Sequence, residues 1–166
     1  MSTDAIVVLK EDHKNVKRLF KEFQAAEDGP AEKKARIVTQ ILQELTVHTY
    51  LENEVMYPEI RRLLPDLDDD ILESYEEHHV ADVLCMELAT MTPDDEHFDA
   101  KVTVLIESVT HHIDEEEQEW FPKVREQLGR NQLQEIGARM QQLRPDAPTT
   151  PSEPKALKKA LDAMRA

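Results

Sequence analysis

With 166 residues the chain is about one domain long, enough to bury a core without a metal or a disulfide to hold it, so a metal here would serve function. Its 35 acidic against 20 basic residues and pI near 4.8 repel phosphate backbones and anionic lipid, which sets nucleic acid and membrane aside as partners. One cysteine, Cys85, excludes an internal disulfide. No apolar run approaches the roughly 18 residues of a membrane span, and MSTDAIVVLKEDHK lacks the basic start and longer apolar stretch of a signal peptide, so the cytoplasm is the expected compartment. The three glycines, Gly29, Gly129 and Gly137, form no phosphate-binding or dinucleotide loop.

Apolar residues recur at helical spacing in four long segments, without sustained strand alternation, which predicts an all-α fold. The first segment runs from about Thr3 to Ala26, with Ile6, Leu9, Val16, Phe20 and Phe23 on one stripe, and stops at Asp28-Gly29-Pro30. The second runs from about Ala31 to Leu64 and ends at Pro65. The third, about Asp69 to Met91, presents Ile71, Tyr75, Cys85 and Leu88 before Thr92-Pro93. The fourth, about Pro93 to Leu128, carries Val102, Leu105 and Val109, and Gly129 closes it. Short connections predict an up-and-down antiparallel four-helix bundle. A short fifth helix follows at about Asn131 to Leu143, completing a domain over residues 1–143. Residues 144–166 are expected to form a Pro-rich linker and a short basic helix, KALKKALDAMRA, separate from any site in the bundle.

Shifted by about 64 residues, the chain matches itself. "EDHKNVKRLFKEF" falls over "EEHHVADVLCMEL", and "HTYLENEVMYP" over "HIDEEEQEWFP". His13 thereby meets His78, His48 meets His112, and Glu52 meets Glu116, whereas His79, His97 and His111 have no counterparts. Helical geometry selects the same six residues, because side chains three or four apart share a face. His13 lies between Leu9 and Val16, His78 between Tyr75 and Cys85, His48 after Leu45, and His112 after Val109. Glu52 and Glu116 follow one turn later. His79 and His111 are displaced by about 100° and should face a flank or water. Four imidazoles and two carboxylates in a core are costly without partners, and a site for two metal ions supplies them all. Glu54, Glu115, Glu117 and Glu119 suit a solvated face, while Tyr57, Trp120, Phe121 and the prolines at 58 and 122 look structural. Cys85 suits a small core position.

The pattern H…HxxxE…H…HxxxE, with an aromatic-proline step after each HxxxE, resembles the hemerythrin-like (HHE cation-binding) family over about residues 3 to 143. The resemblance implies a four-helix bundle holding two iron ions joined by an oxo or hydroxo bridge. Carried over, His13 and His48 would bind one iron, His78 and His112 the other, and Glu52 and Glu116 would bridge them and serve as the catalytic carboxylates. Oxygen carriers of the family have a fifth histidine one turn after the third-helix ligand, where this chain has Asp82. Either an open coordination position results, or Asp82 or Tyr75 fills it with oxygen; the plainer alternatives are a flank residue and a core aromatic. Open positions and hard anionic ligands both weigh against reversible carriage. The expected function is therefore catalase-like disproportionation of hydrogen peroxide. The alternative is a module that binds O2 or NO reversibly, or senses iron or oxygen. The expected partner in every case is a small molecule, and oligomeric state is not readable from the sequence.

Overall fold

The computed structural model describes residues 3–151 and 163–164, and among these residues it is helical with no strand. Helix α1 (Ala5–Ala25) begins where the Asp4 carboxylate accepts the backbone N–H groups of Ile6 at 2.9 Å and Val7 at 3.2 Å, satisfying two donors that the first turn leaves free. Helix α2 (Ala31–Leu51) starts directly after Pro30, whose φ of −59° already suits a helix. It passes through one π-helical turn, Glu52–Met56, into α3 (Tyr57–Leu63). A 3₁₀ turn, Pro65–Leu67, leads to α4 (Asp68–Leu88). Helix α5 (Phe98–Glu115) likewise passes through a π-helical turn, Glu116–Trp120, into α6 (Phe121–Gln127). Helix α7 (Arg130–Leu143) and a 3₁₀ turn, Arg144–Asp146, complete the body.

The second and fourth predicted segments are thus each two α-helices with a wider turn between them. Proline explains the position of that turn: Pro58 and Pro122 lack an N–H and would collide with the carbonyls of Glu54 and Gln118 in a regular helix. The ladder slips instead, so that the N–H of Tyr57 meets the carbonyl of Glu52 and that of Phe121 meets Glu116. The fourth helix starts at Phe98 rather than Pro93. Turns occupy the intervening residues, held by the Thr92 N–H to the Asp95 carboxylate at 2.7 Å and the Phe98 N–H to the Asp95 carbonyl at 3.1 Å.

Helix α1 packs on α2 and α4 on α5, and contacts of α1 with α5 and of α2 with α4 close the four-helix ring. Helix α7 lies across α1 and the first π turn. It passes so close to the start of α1 that a Cβ on Gly137 would sit 1.4 Å from the carbonyl oxygen of Thr3, so no other residue fits there. Two apolar cores result. One gathers Ile6, Leu9, Met56, Ile60, Trp120 and Ile136 under α7. The other gathers Phe20, Phe23, Ile41, Phe98, Leu105 and Val109 towards the opposite end. Polar residues form a layer between them. The segment from Arg144 does not simply leave the bundle: Arg144 Nη2 lies 3.0 Å from Asp12 Oδ2, and Thr149, Thr150 and Pro151 border a hollow with Val38, Leu88 and Phe98. The expected basic helix falls on 155–166, outside the described residues except for 163–164.

Candidate metal centre

The layer between the two cores is built by the two π turns and the helices opposite them. His13 comes from α1, His48 from the last turn of α2, His78 from α4 and His112 from the last turn of α5. Glu52 and Glu116 open the π turns and are completely buried, and all four histidines are buried. His48 Nε2 lies 2.9 Å from Glu52 Oε1 and His78 Nε2 lies 3.3 Å from the same oxygen. His112 Nε2 and His13 Nε2 lie 3.3 Å and 3.2 Å from Glu116 Oε1. Each glutamate therefore stands between a histidine of one half and a histidine of the other. His13 and His48 meet edge to face with ring centres 4.8 Å apart, and His78 and His112 do the same at 4.7 Å. The sequence repeat is a pseudo-twofold relation in space.

The Nδ1 side of each ring is held from outside. Asp12 faces His48 at 3.2 Å, Glu77 faces His112 at 3.1 Å, Asn53 faces His78 at 2.8 Å and Glu117 faces His13 at 3.4 Å. These partners also obey the repeat, since Asp12 and Glu77 each precede a histidine, and Asn53 and Glu117 each follow a buried glutamate. Such acceptors fix the ring and leave Nε2 facing the centre, as metal-binding histidines require. Glu117 thus belongs to the cluster's support and not to the solvated face expected for it. His111 is exposed and His79 half-buried, on the flank predicted for both.

Tyr57 is the residue that the spacing did not single out. Its hydroxyl donates to Glu116 Oε2 at 2.8 Å and lies 3.1 Å and 3.3 Å from the Nε2 atoms of His78 and His112. Its ring stacks on His78 at 5.1 Å, while its counterpart Phe121 stacks on His13 at 5.9 Å. The signal was present in the repeat, where tyrosine is set against phenylalanine. Tyr75, offered as an oxygen ligand, points its hydroxyl at the carbonyl of Asn53, 3.4 Å away, outside the cluster. Asp82 instead lines a cavity of about 20 Å³ together with His13, His48, His78, His112 and Cys85. That volume holds about one water-sized molecule.

Charge is concentrated in this layer. Burial alone would lower the pKa of His48, yet Glu52 and Asp12 outweigh it and hold the value up at about 10. Burial is likewise overcome at His112 by Glu116 and Glu77, and at His13 by Glu116 and Glu117, so both are raised. Glu116 resists its own burial through His112 and His13 and stays far below the usual carboxylate range. Burial, with Glu116 and Glu52 beside it, keeps the Tyr57 phenol protonated. The Asp82 carboxyl is pushed up by burial, which His78 and His79 only partly offset.

A metal fits this donor set. Among the described residues, the buried side-chain polar atoms without a hydrogen-bond partner are both ring nitrogens of His13, Nε2 of His48, both oxygens of Glu52, Oε1 of Glu116, and Nε1 of Trp120. All but the last belong to the cluster. Orphaned groups of this kind cost about 1–3 kcal/mol each unless something binds them. His13 Nε2, His48 Nε2, the Glu52 oxygens and Glu116 Oε1 face the centre and are the atoms that a cation would take, while His13 Nδ1 faces Glu117. One atom from each of His13, His48, Glu52 and Glu116 can be chosen so that all lie within 4.8 Å, and the same holds for Glu52, His78 and His112.

Comparison with known proteins agrees with this geometry. The family model for the hemerythrin HHE cation binding domain matches residues 4–124. A hemerythrin HHE cation binding domain-containing protein of Mycobacterium kansasii has a similar solved structure, with a TM-score of 0.69, 24% identity, and coverage of 86% of this chain and 88% of that one. A protein of Nostoc sp. named a DNA nickase is 30% identical over 128 residues, which are 77% of this chain but only 35% of that relative's length. With its family model spanning both histidine pairs and both glutamates, the chain belongs to the hemerythrin HHE cation-binding family and is a metal-binding module.

Proposed function

We propose that the module holds two iron ions and disproportionates hydrogen peroxide, with Glu52 and Glu116 as the carboxylates shared between the ions. His13 and His48 would hold one ion, and His78 and His112 the other. The observation that carries this reading is the small cavity bordered by both histidine pairs and by Asp82, since an oxygen species entering it would meet both sides of the centre. Bound iron would supply paired electron acceptance and return, so that two peroxides yield two waters and one dioxygen. The protein's own groups do the rest. Asp82 offers a carboxyl at the cavity wall for proton transfer. Tyr57 donates to Glu116 from the opposite side and fixes that carboxylate. Val16, Leu45, Ala81, Val109 and Ile113 line the apolar part of the wall, beside Thr46, Thr49 and Ser108, and limit water. An oxo or hydroxo bridge between the ions would complete their charge balance.

The apolar part of the same wall favours one second reading, reversible binding of an uncharged diatomic gas such as O2 or NO. Strand nicking, the activity in the name of the longer Nostoc relative, finds less support in a chain with net charge −15. The test is to load the protein with Fe(II) without air, add hydrogen peroxide and measure evolved oxygen, and separately record the absorption spectrum during cycles of air and vacuum. Oxygen evolution without a reversible adduct is expected. Repeated binding and release of oxygen with negligible peroxide turnover would overturn the catalase reading. Asp82→His should lower peroxide turnover and lengthen the life of any oxygen adduct.

A further inference from the structure

The two adjacent histidines at the end of α5 each begin a His-x-x-x-Glu pair. His112 with Glu116 belongs to the buried centre, and His111 with Glu115 lies one residue out of step. The first half of the repeat has no such second pair, because Val47 and Leu51 stand at the matching positions. In space, His111 Nε2 lies 2.8 Å from Glu115 Oε1. Helix pairs of this kind also occur as plain surface ion pairs. Here, however, a third donor arrives from another helix: one atom each of Glu77, on α4, His111 and Glu115 lie within 4.8 Å of one another. Two carboxylates thus converge with one imidazole, and among the described residues neither carboxylate pairs with a lysine or arginine. Glu77 also faces inward, with Oε1 3.1 Å from His112 Nδ1. The His111 side chain is 67% exposed, whereas that of His112 is 8% exposed. The trio therefore stands at the surface directly outside the buried cluster, and one of its members touches both.

We propose that Glu77, His111 and Glu115 form a third, outer divalent-cation site where Fe(II) lands before passing inward beside His112. The donor set, one imidazole and two carboxylates open to water on one side, suits a first-row divalent ion held loosely. The attraction of two carboxylates raises the local cation concentration at the surface. This inference rests on the buried cluster being a metal centre, and the experiment separates the two.

Metal-free full-length protein is titrated with Co(II), following the visible ligand-field absorption and the bound metal by equilibrium dialysis. Three Co(II) per chain are expected at saturation, two tight and one weak. His111→Ala and Glu115→Gln should each bind two, with the tight pair filling about tenfold more slowly at limiting Co(II). Two Co(II) in the unmodified protein, or three in both variants, overturns the outer site. An unchanged filling rate in both variants overturns its delivery role. No tight Co(II) at all in the unmodified protein overturns the buried centre itself.

Discussion

Tyr57 and Phe121 hold the same place in the two halves of the molecule, and one oxygen atom separates them. Tyr57→Phe should keep the ring over His78 and remove the donor to Glu116. The iron-free protein should then lose about 1.5–3 kcal/mol, the range for a buried bond to a charged group, measured by chemical denaturation. The visible spectrum of the iron-loaded protein should shift in Tyr57→Phe and stay unchanged in Tyr75→Phe, whose hydroxyl lies outside the cluster. An unchanged spectrum in both would detach the phenol from the centre. Cys85 tests the same layer in another way. Burial and the neighbouring Asp82 push its thiol up to about 12, so the reactive thiolate is scarce at pH 8. Iodoacetamide should leave folded protein unmodified and label it once denatured. The six central residues were legible because histidine on an apolar stripe is rare and their repeat is regular. Asn53, Glu117 and the Tyr57 hydroxyl were not, since each is ordinary by type and reaches the cluster only after the helix has changed pitch.

That change of pitch is the contribution of the elements. A π turn adds a residue to the circuit, so Glu52 and Glu116 face the centre while Asn53 and Glu117, one position later, reach the outer nitrogens of His78 and His13. The aromatic-proline steps were visible in the sequence, and so was their regular spacing from histidine. Their consequence for the helix was not, because helical periodicity over thirty-odd residues averages out one wider turn. Glu117 and Glu119 lie on the same turn and give a controlled comparison. Glu117→Ala should weaken metal binding about ten- to a hundredfold, the usual effect of removing a partner of a metal-bound histidine. Glu119→Ala, at an exposed position, should leave affinity unchanged. Equal affinity in both variants, measured by competition with a chelator, would take Glu117 out of the site.

At the scale of the whole molecule, the tail joins the bundle at one point that bears on the centre. Asp12 links His48 to Arg144, with oxygen Oδ2 3.2 Å from the ring and 3.0 Å from the guanidinium. A chain ending at Leu143 should therefore fold and keep both ions, but hold them a few-fold less tightly, since the loss is one step further from the metal than an outer acceptor. The sequence offered no hint of this contact, because Arg144 opens a Pro-rich stretch that reads as linker. Metal removal should lower the melting temperature: at a free ion concentration of about 100 Kd the bound form gains about 2.7 kcal/mol, or roughly 5–10 °C for a domain of this size. A melting temperature indifferent to the chelator would contradict binding by the native state.

The polar layer also divides the apolar interior into two stacked cores, one under α7 and one at the opposite end. Cooperativity in melting depends on favourable contacts running without interruption through the interior. Here the interruption is a plane of charges. Without a cation, each core can open while the other stays closed, so the calorimetric enthalpy of the metal-free protein should exceed the van't Hoff enthalpy, and amides of α7 and of the Phe98 end of α5 should exchange with separate opening energies. Filling the plane replaces ion pairs and orphaned polar atoms with bonds that draw on all four bundle helices. The two enthalpies should then converge, and the ion will have made one thermodynamic unit out of two.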